Sequence, residues 1–224
     1  MQKLSLDKDI HEVLVMFPKL KLIERDKKKT VSGEIDIFDV ANNYVDSFDI
    51  DVVIPRNYPY GFPLMFETSN KLEHIPDRHF NEDESCCVCS LQEVDLISQK
   101  GISMKDFFLG YVIPYLANQL YFNIEKEWAN GDYDHGAEGI LQYYRELFEL
   151  DSIEGIFELL SFLNKNRMNR NDTCFCGKRQ KLKRCHLQTY TIIKFLSKSR
   201  IEVDLMALKW LLRKLIKIKG VEKL

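Results

Sequence analysis

The sequence predicts an α+β fold followed by a small helical module that carries a zinc knuckle. Three observations predict it. Residues 34–37 (Glu-Ile-Asp-Ile) and 48–52 (Phe-Asp-Ile-Asp-Val) alternate apolar and acidic residues, the period of half-buried strands. Apolar residues return at helical spacing on both sides of these segments. Cys174, Cys176, Cys185 and His186 then cluster in a short basic stretch.

In chain order, Ser5 caps a first helix whose Ile10, Val13, Leu14 and Phe17 share one face, and Pro18 ends it. Asn42-Asn43 supplies the turn between the two alternating strands. A further strand is expected at 64–67, after Pro55, Pro59 and Pro63. Residues 76–103 read as polar and irregular apart from 86–91, and an irregular segment of that length is usually functional. Helical spacing resumes over 104–127 (Phe107, Phe108, Val112, Leu116, Leu120), with Pro114 interrupting it. Trp128 reads as a core anchor. Gly136 and Gly139 allow a tight turn into a helix over 137–150. Helices over 153–163, 187–197 and 203–219 complete the chain, which has no internal repeat and no low-complexity segment.

Composition narrows the function. The 224 residues suit one large domain or a domain with an appendage, and 45% hydrophobic content fills a core, which excludes a disordered chain. No apolar run approaches the roughly 20 residues of a membrane-spanning helix. Acidic residues at Asp7 and Asp9, with no small-residue cleavage site, argue against a signal peptide. The six cysteines then point to a reducing, cytoplasmic setting, where thiols bind metal or do chemistry. Residues 151–224 carry 17 Lys and Arg against 7 Asp and Glu, whereas residues 1–150 carry 15 against 27. The expected organisation is therefore two modules, 1–150 and 151–224. Their opposite charges serve either different partners or mutual attraction.

Thiolates and imidazole are natural zinc ligands, and Cys174, Cys176, Cys185 and His186 together make a closed four-ligand site. A closed set leaves no position for water, so the expected zinc is structural rather than catalytic. Gly177 follows Cys176 where an unusual backbone angle is useful. Lys178, Arg179, Lys181, Lys183 and Arg184 surround the knuckle and offer contacts to phosphate or to an acidic protein face; solvated surface charge is the plainer alternative. No recognition-helix pattern is present, which argues against sequence-specific DNA reading.

The second chemical cluster is His79, Asn81, Cys86, Cys87 and Cys89. Thioester chemistry needs an accessible thiolate and a group that stabilises an oxyanion, and an Asn amide such as Asn81 does the latter without a charge to titrate. Cys89, ahead of Cys87, is the candidate nucleophile. Two other readings stand beside it: a buried cysteine that simply packs, and a redox pair or second metal site with His79. No Lys or Arg lies between 79 and 99, and Glu82, Asp83 and Glu84 are near, so local charge is expected to raise the thiol's proton affinity. His135 is either a base or a loop histidine that caps or packs.

Two resemblances sharpen these readings. Residues 170–186, from Arg170-Asn171-Asp172 through His186, resemble the SEC-C motif, a module named for the tail of the SecA translocation ATPase, with Thr173 and Phe175 where prolines often stand. Residues 5–150 resemble ubiquitin-conjugating enzymes. Tyr58-Pro59 with Pro63 downstream, His79 and Asn81 at the first and third positions of a His-Pro-Asn tripeptide, and Cys89 ten residues after His79 carry the likeness. Phe80 replaces the tripeptide proline, Ser85 stands near the usual glycine, and the tryptophan-proline element after the cysteine is missing. Gly131-Asp132-Tyr133-Asp134-His135-Gly136-Ala137-Glu138-Gly139 stands there instead and looks like the prokaryotic, anti-phage (CBASS-type) branch.

The resemblance implies a four-strand antiparallel meander, an oxyanion-stabilising Asn81, a role for His79, and Cys89 as acyl acceptor. It also implies protein partners: an activating enzyme, and a nucleotide cyclase or ubiquitin-like protein whose C-terminus is transferred to a target amine. A catalytically silent adaptor of the same fold, docking through a zinc-stabilised basic tail, is the alternative. Nucleic-acid binding by that tail is a further expectation.

Overall fold

In the computed structural model, which describes residues 6–129 and 134–221, the alternating segments become the two central strands of one antiparallel sheet. The sheet comprises β1 (Leu20–Arg25), β2 (Lys28–Phe38), β3 (Tyr44–Val53) and β4 (Leu64–Glu67), in the order β1-β2-β3-β4. Pairing Val31 with Val52, Val52 with Met65 and Ile35 with Phe48 puts one apolar row on one face. All five side chains are buried. A one-residue slip would turn this row to solvent, so the register is firmly specified.

The β1–β2 hairpin turns on Asp26 and Lys27, with φ of 51° and 60°. Two successive left-handed residues are what a two-residue type I′ turn requires. The β2–β3 turn is held by the Asp39 carboxylate, which accepts the backbone N–H groups of Ala41 and Asn43 and the Asn43 side-chain amide. Asn42 takes the left-handed position there (φ 63°).

Helix α1 (Leu6–Met16) buries Ile10 and Val13, as its spacing predicts; Ser5, the expected cap, lies outside the described residues. After the sheet come α2 (Leu91–Lys100), α3 (Met104–Phe107) and α4 (Ile113–Glu125). A π-helical stretch, Phe108–Val112, joins α3 to α4 directly ahead of the Ile113-Pro114 pair that opens α4. Proline has no N–H and crowds the preceding turn, and widening that turn accommodates it without ending the helix. Met104, Phe107, Phe108, Val112 and Leu116 are fully buried in the core they share with the sheet and α1. The Tyr58 hydroxyl ties the layers together: it donates to Asp9 of α1 and accepts the Met104 N–H of α3 at 3.0 Å.

The chain divides into two compact units, Met1–Asp132 and Tyr133–Leu224. The boundary falls before 150 because α5 (Gly136–Phe148) spends its apolar face in the second unit. That unit also holds α6 (Ile153–Lys165), α7 (Leu187–Phe195) and α8 (Lys198–Val221). Fully buried Tyr144 of α5 donates to Asp204 of α8 at 2.7 Å. Asp204 is also fully buried and pairs with Arg200, whose Nε and Nη2 lie 2.9 and 2.7 Å from the same oxygen. At the start of α5, Gly139 is required: a Cβ there would stand 2.0 Å from the Asp134 carbonyl oxygen. Among the described residues, no helix is long and apolar enough to cross a membrane.

Candidate functional sites

The segment from Arg78 to Ser90 carries the cysteine cluster, and backbone hydrogen bonds fix its course. The Cys86 N–H donates to the Met65 carbonyl of β4 at 2.8 Å, and the Cys87 N–H to the His79 carbonyl at 2.7 Å. His79 adopts the left-handed conformation (φ 54°) that turns its carbonyl toward Cys87. The Tyr115 hydroxyl donates to the Arg78 and His79 carbonyls, 3.2 Å away in each case. His79 thus acts here through its backbone, while its ring packs 4.5 Å from Trp128.

Trp128 is half-buried rather than a core anchor. It covers His79 and Phe122, with the Arg78 guanidinium 5.9 Å from its ring. Arg78, which the sequence reading passed over, is the post of this corner. Its Nε donates to Gln119 Oε1 at 2.9 Å, its Nη2 to Asn123 Oδ1 at 2.8 Å, and Gln119 returns a bond to the Arg78 carbonyl at 2.8 Å. Gln119 and Asn123 stand four apart on α4, which puts both amides on one face. That spacing is the only sequence signal for the contact. Phe80, at the position of the expected proline, is buried between the rings of His74 (4.2 Å) and Tyr115 (6.2 Å).

Asn81 closes a turn of its own. Its N–H donates to the Ser85 carbonyl at 2.8 Å and its side-chain amide to Ser85 Oγ at 3.0 Å; Ser85 Oγ in turn donates to Asp83. The structure therefore brings Asn81 to Ser85, inside the acidic loop. Ser85 is buried and Asn81 exposed.

The three thiols differ. Cys86 is buried in the core, and burial pushes its thiol up to about 12. Cys87 and Cys89 are half-buried. Burial raises both, and for Cys89 the nearby Glu93 carboxylate and Cys87 act in the same direction. The expected direction holds, but burial and Glu93 carry it rather than the acids at 82–84. Cys89 stands directly before Ser90, the N-cap of α2, whose Oγ accepts the Glu93 N–H at 3.2 Å. The Glu93 side chain accepts the Tyr111 hydroxyl at 2.8 Å. The α2 helix falls where the sequence reading expected irregular chain, and the Ser90-x-x-Glu93 capping pattern was the signal that marked it.

These thiols hold their protons more tightly in the folded chain than in the unfolded one. Stability is thus intact below the ordinary thiol value and falls as pH rises through the folded one, for Cys86 from 9.0 to about 12. The urea midpoint of the first unit is expected to drop steeply across that window, and Cys86→Ala to flatten the slope.

In the second unit, four ligand atoms converge. Cys174, Cys176, Cys185 and His186 each offer one atom, all within 4.8 Å of one another. Cys185 Sγ lies 3.5 Å from Cys176 Sγ and 3.1 Å from His186 Nδ1, and Cys174 Sγ lies 3.4 Å from the same nitrogen. Sulfurs about 2.3 Å from a tetrahedral zinc sit about 3.8 Å from one another, so the cluster has the dimensions of such a site.

The local chain explains the convergence. Thr173 and Lys181 form a bridge, the Cys174 N–H donates to the Gln180 carbonyl at 2.7 Å, and Gly177 (φ 78°) and Arg179 (φ 53°) turn the chain between them. Fully buried Leu182 anchors a short 3-10 turn (Leu182–Arg184) that delivers Cys185, and His186 is the N-cap of α7. Burial works to raise the Cys176 thiol, but the Lys178 N–H and the sulfurs of Cys185 and Cys174 outweigh it, and the net direction is down. Burial and the neighbouring sulfurs push Cys185 up, to about 11. Sulfurs that compete for protons in this way favour a cation among them.

His135 is the N-cap residue of α5 but makes no side-chain capping bond. Residues 130–133, including Gly131-Asp132-Tyr133, lie outside the described residues. The chain matches no family model, no curated protein and no solved structure.

Proposed function

We propose that the first unit is an acyl carrier of the ubiquitin-conjugating type in a bacterial conjugation or anti-phage system, with Cys89 as its nucleophile and a structural zinc in the second unit. One observation carries the reading: Cys89 is half-buried rather than sealed. It sits at the cap of α2, at the end of a segment pinned to β4 and to the His79 carbonyl. A rigid scaffold with a reachable sulfur is what a thioester carrier needs.

The Cys89 sulfur attacks the carbonyl carbon of a partner protein's C-terminus, which arrives as a thioester on an activating enzyme. The old C–S bond breaks, and the Cys89 proton passes to the departing thiolate. A target amine then attacks the same carbon, a C–N bond forms, Cys89 leaves as thiolate, and the amine's proton goes to solvent. Asn81 serves as oxyanion donor by exchanging its Ser85 contact for the oxyanion. The raised thiol suits a carrier that is discharged by a partner rather than one that reacts freely with solvent electrophiles.

The adaptor reading has its own support. The environment of Cys89 disfavours its thiolate, and the Asn81 amide is bonded to Ser85. In that reading the fold holds a partner such as a nucleotide cyclase without chemistry. Cys89→Ala separates the two. Abolished conjugation with partner binding intact is the result expected of a carrier; conjugation or defence unchanged by the substitution belongs to the adaptor.

A further inference from the structure

Between Lys165 and Lys194 the chain carries nine Lys and Arg and one acid, Asp172. That acid is used internally: its carboxylate accepts the Asn169 N–H at 2.7 Å. Among the described residues, none of the nine cations has a carboxylate within ion-pair distance; the ion pairs described in this unit are Lys198–Glu202, Arg200–Asp204 and Lys214–Glu138. The cations lie on four separate pieces of chain: the end of α6, the loop that follows, the metal-site turn and α7. A single compact anion cannot meet them all, whereas a strand of repeating charge can.

Beside the metal-site turn, the loop 168–170 and α7 enclose a groove of about 400 Å³. Arg170 and Lys194 stand at it with no carboxylate among the described residues in ion-pair range, and Thr191 lines it with its hydroxyl donating to the Leu187 carbonyl at 2.7 Å. Phe195, 50% exposed, forms an aromatic edge. Tyr190 is buried beneath, and its hydroxyl accepts the Met168 N–H at 2.8 Å, which fixes the loop against the helix.

We propose that this groove binds single-stranded nucleic acid, with phosphates on Arg170 and Lys194 and a base against Phe195. Cations that track a backbone, joined to an aromatic face, are the two elements of strand binding without sequence preference. A duplex hides its base faces, and here the cations sit largely on loops and turns rather than on one helix or ribbon that enters a groove. An acidic protein face would meet the charges but would make no use of the aromatic edge. The inference is independent of Cys89: nucleic-acid binding and thioester formation are read out separately, so either can fail alone.

The test is fluorescence anisotropy with the full chain as isolated. The probes are labelled single-stranded RNA and DNA oligonucleotides, the corresponding duplex, and a poly-glutamate peptide of matched charge, each titrated at several salt concentrations. Both single strands are expected to bind more tightly than duplex or peptide. The double substitution R170A/K194A is expected to reduce the slope of log K against log salt by about 1.4, two phosphate contacts at about 0.7 each. Phe195→Leu, which keeps an apolar side chain, is expected to weaken single-strand binding about tenfold and leave the duplex unchanged. Lys209→Ala, on α8 outside the groove, serves as a control and is expected to change neither. Duplex or peptide binding equal to or tighter than single strand, an unchanged salt slope in R170A/K194A, or no binding at all overturns the proposal.

Discussion

Treatment with a strong chelator is expected to release one zinc per chain and unfold the turn between α6 and α7, with Cys174→Ser reproducing the effect. Apparent zinc affinities of small four-ligand sites are worth about 10–16 kcal/mol at neutral pH. A whole domain is stable by only about 5–15 kcal/mol. The turn that carries the four ligands has one fully buried apolar side chain of its own, Leu182, and one short bridge, Thr173 with Lys181. Those contacts do not offset the ordering of the loop, which costs about 1–2 kcal/mol per residue in backbone entropy alone. His186 stands at the N-cap position of α7 and its carbonyl accepts the Tyr190 N–H at 2.9 Å, so loss of the site is expected to propagate into that helix. Metal analysis of the purified chain, followed by hydrogen exchange with and without chelator, reads both effects. A metal-free chain whose 170–186 amides are already protected would contradict the prediction.

Asp204→Ala is expected to destabilise the second unit by about 3–5 kcal/mol, the usual cost of removing one partner from a buried ion pair. Asp204 is fully buried and holds both Tyr144 and Arg200, so its loss strands a guanidinium and a phenol in the interior. Asp204→Asn retains an oxygen for one donor and is expected to lose less. Tyr144→Phe removes only the hydroxyl bond and is expected to cost about 1 kcal/mol. Thermal unfolding followed by a probe in each unit locates the loss; a shift confined to the first unit would refute the assignment.

The sequence was most legible where a periodic pattern or a chemical constraint acts within a few residues. The acidic–apolar alternation in β2 and β3 and the four-residue strand β4 were readable because side-chain direction follows the backbone period. The convergence of Cys174, Cys176, Cys185 and His186 was readable because few other structures need three thiols and an imidazole so close. Pro114 announced the interruption between α3 and α4.

The remainder depends on partners distant in sequence. The β1 strand was hidden because its hairpin turns on Asp26-Lys27 rather than on the Asn-Gly that usually marks left-handed pairs. The α2 helix was hidden by its polar composition, though its capping pattern was present. The unit boundary moved because the fate of α5 is decided by Tyr144 meeting Asp204, sixty residues away. Trp128 looked like a core residue by type, yet it is half-buried over His79 and Arg78. Asn81 was placed by its match to a tripeptide, and its bond to Ser85 is a local choice that no motif records.

The carrier reading is tested most directly by intact-mass measurement of the chain purified from cells that contain its natural partners. The account predicts a covalent protein adduct that hydroxylamine removes, that maps to Cys89 and that disappears in Cys89→Ala but persists in Cys87→Ala. A chain that stays at its unmodified mass in the presence of those partners, or an adduct that survives Cys89→Ala, would contradict it.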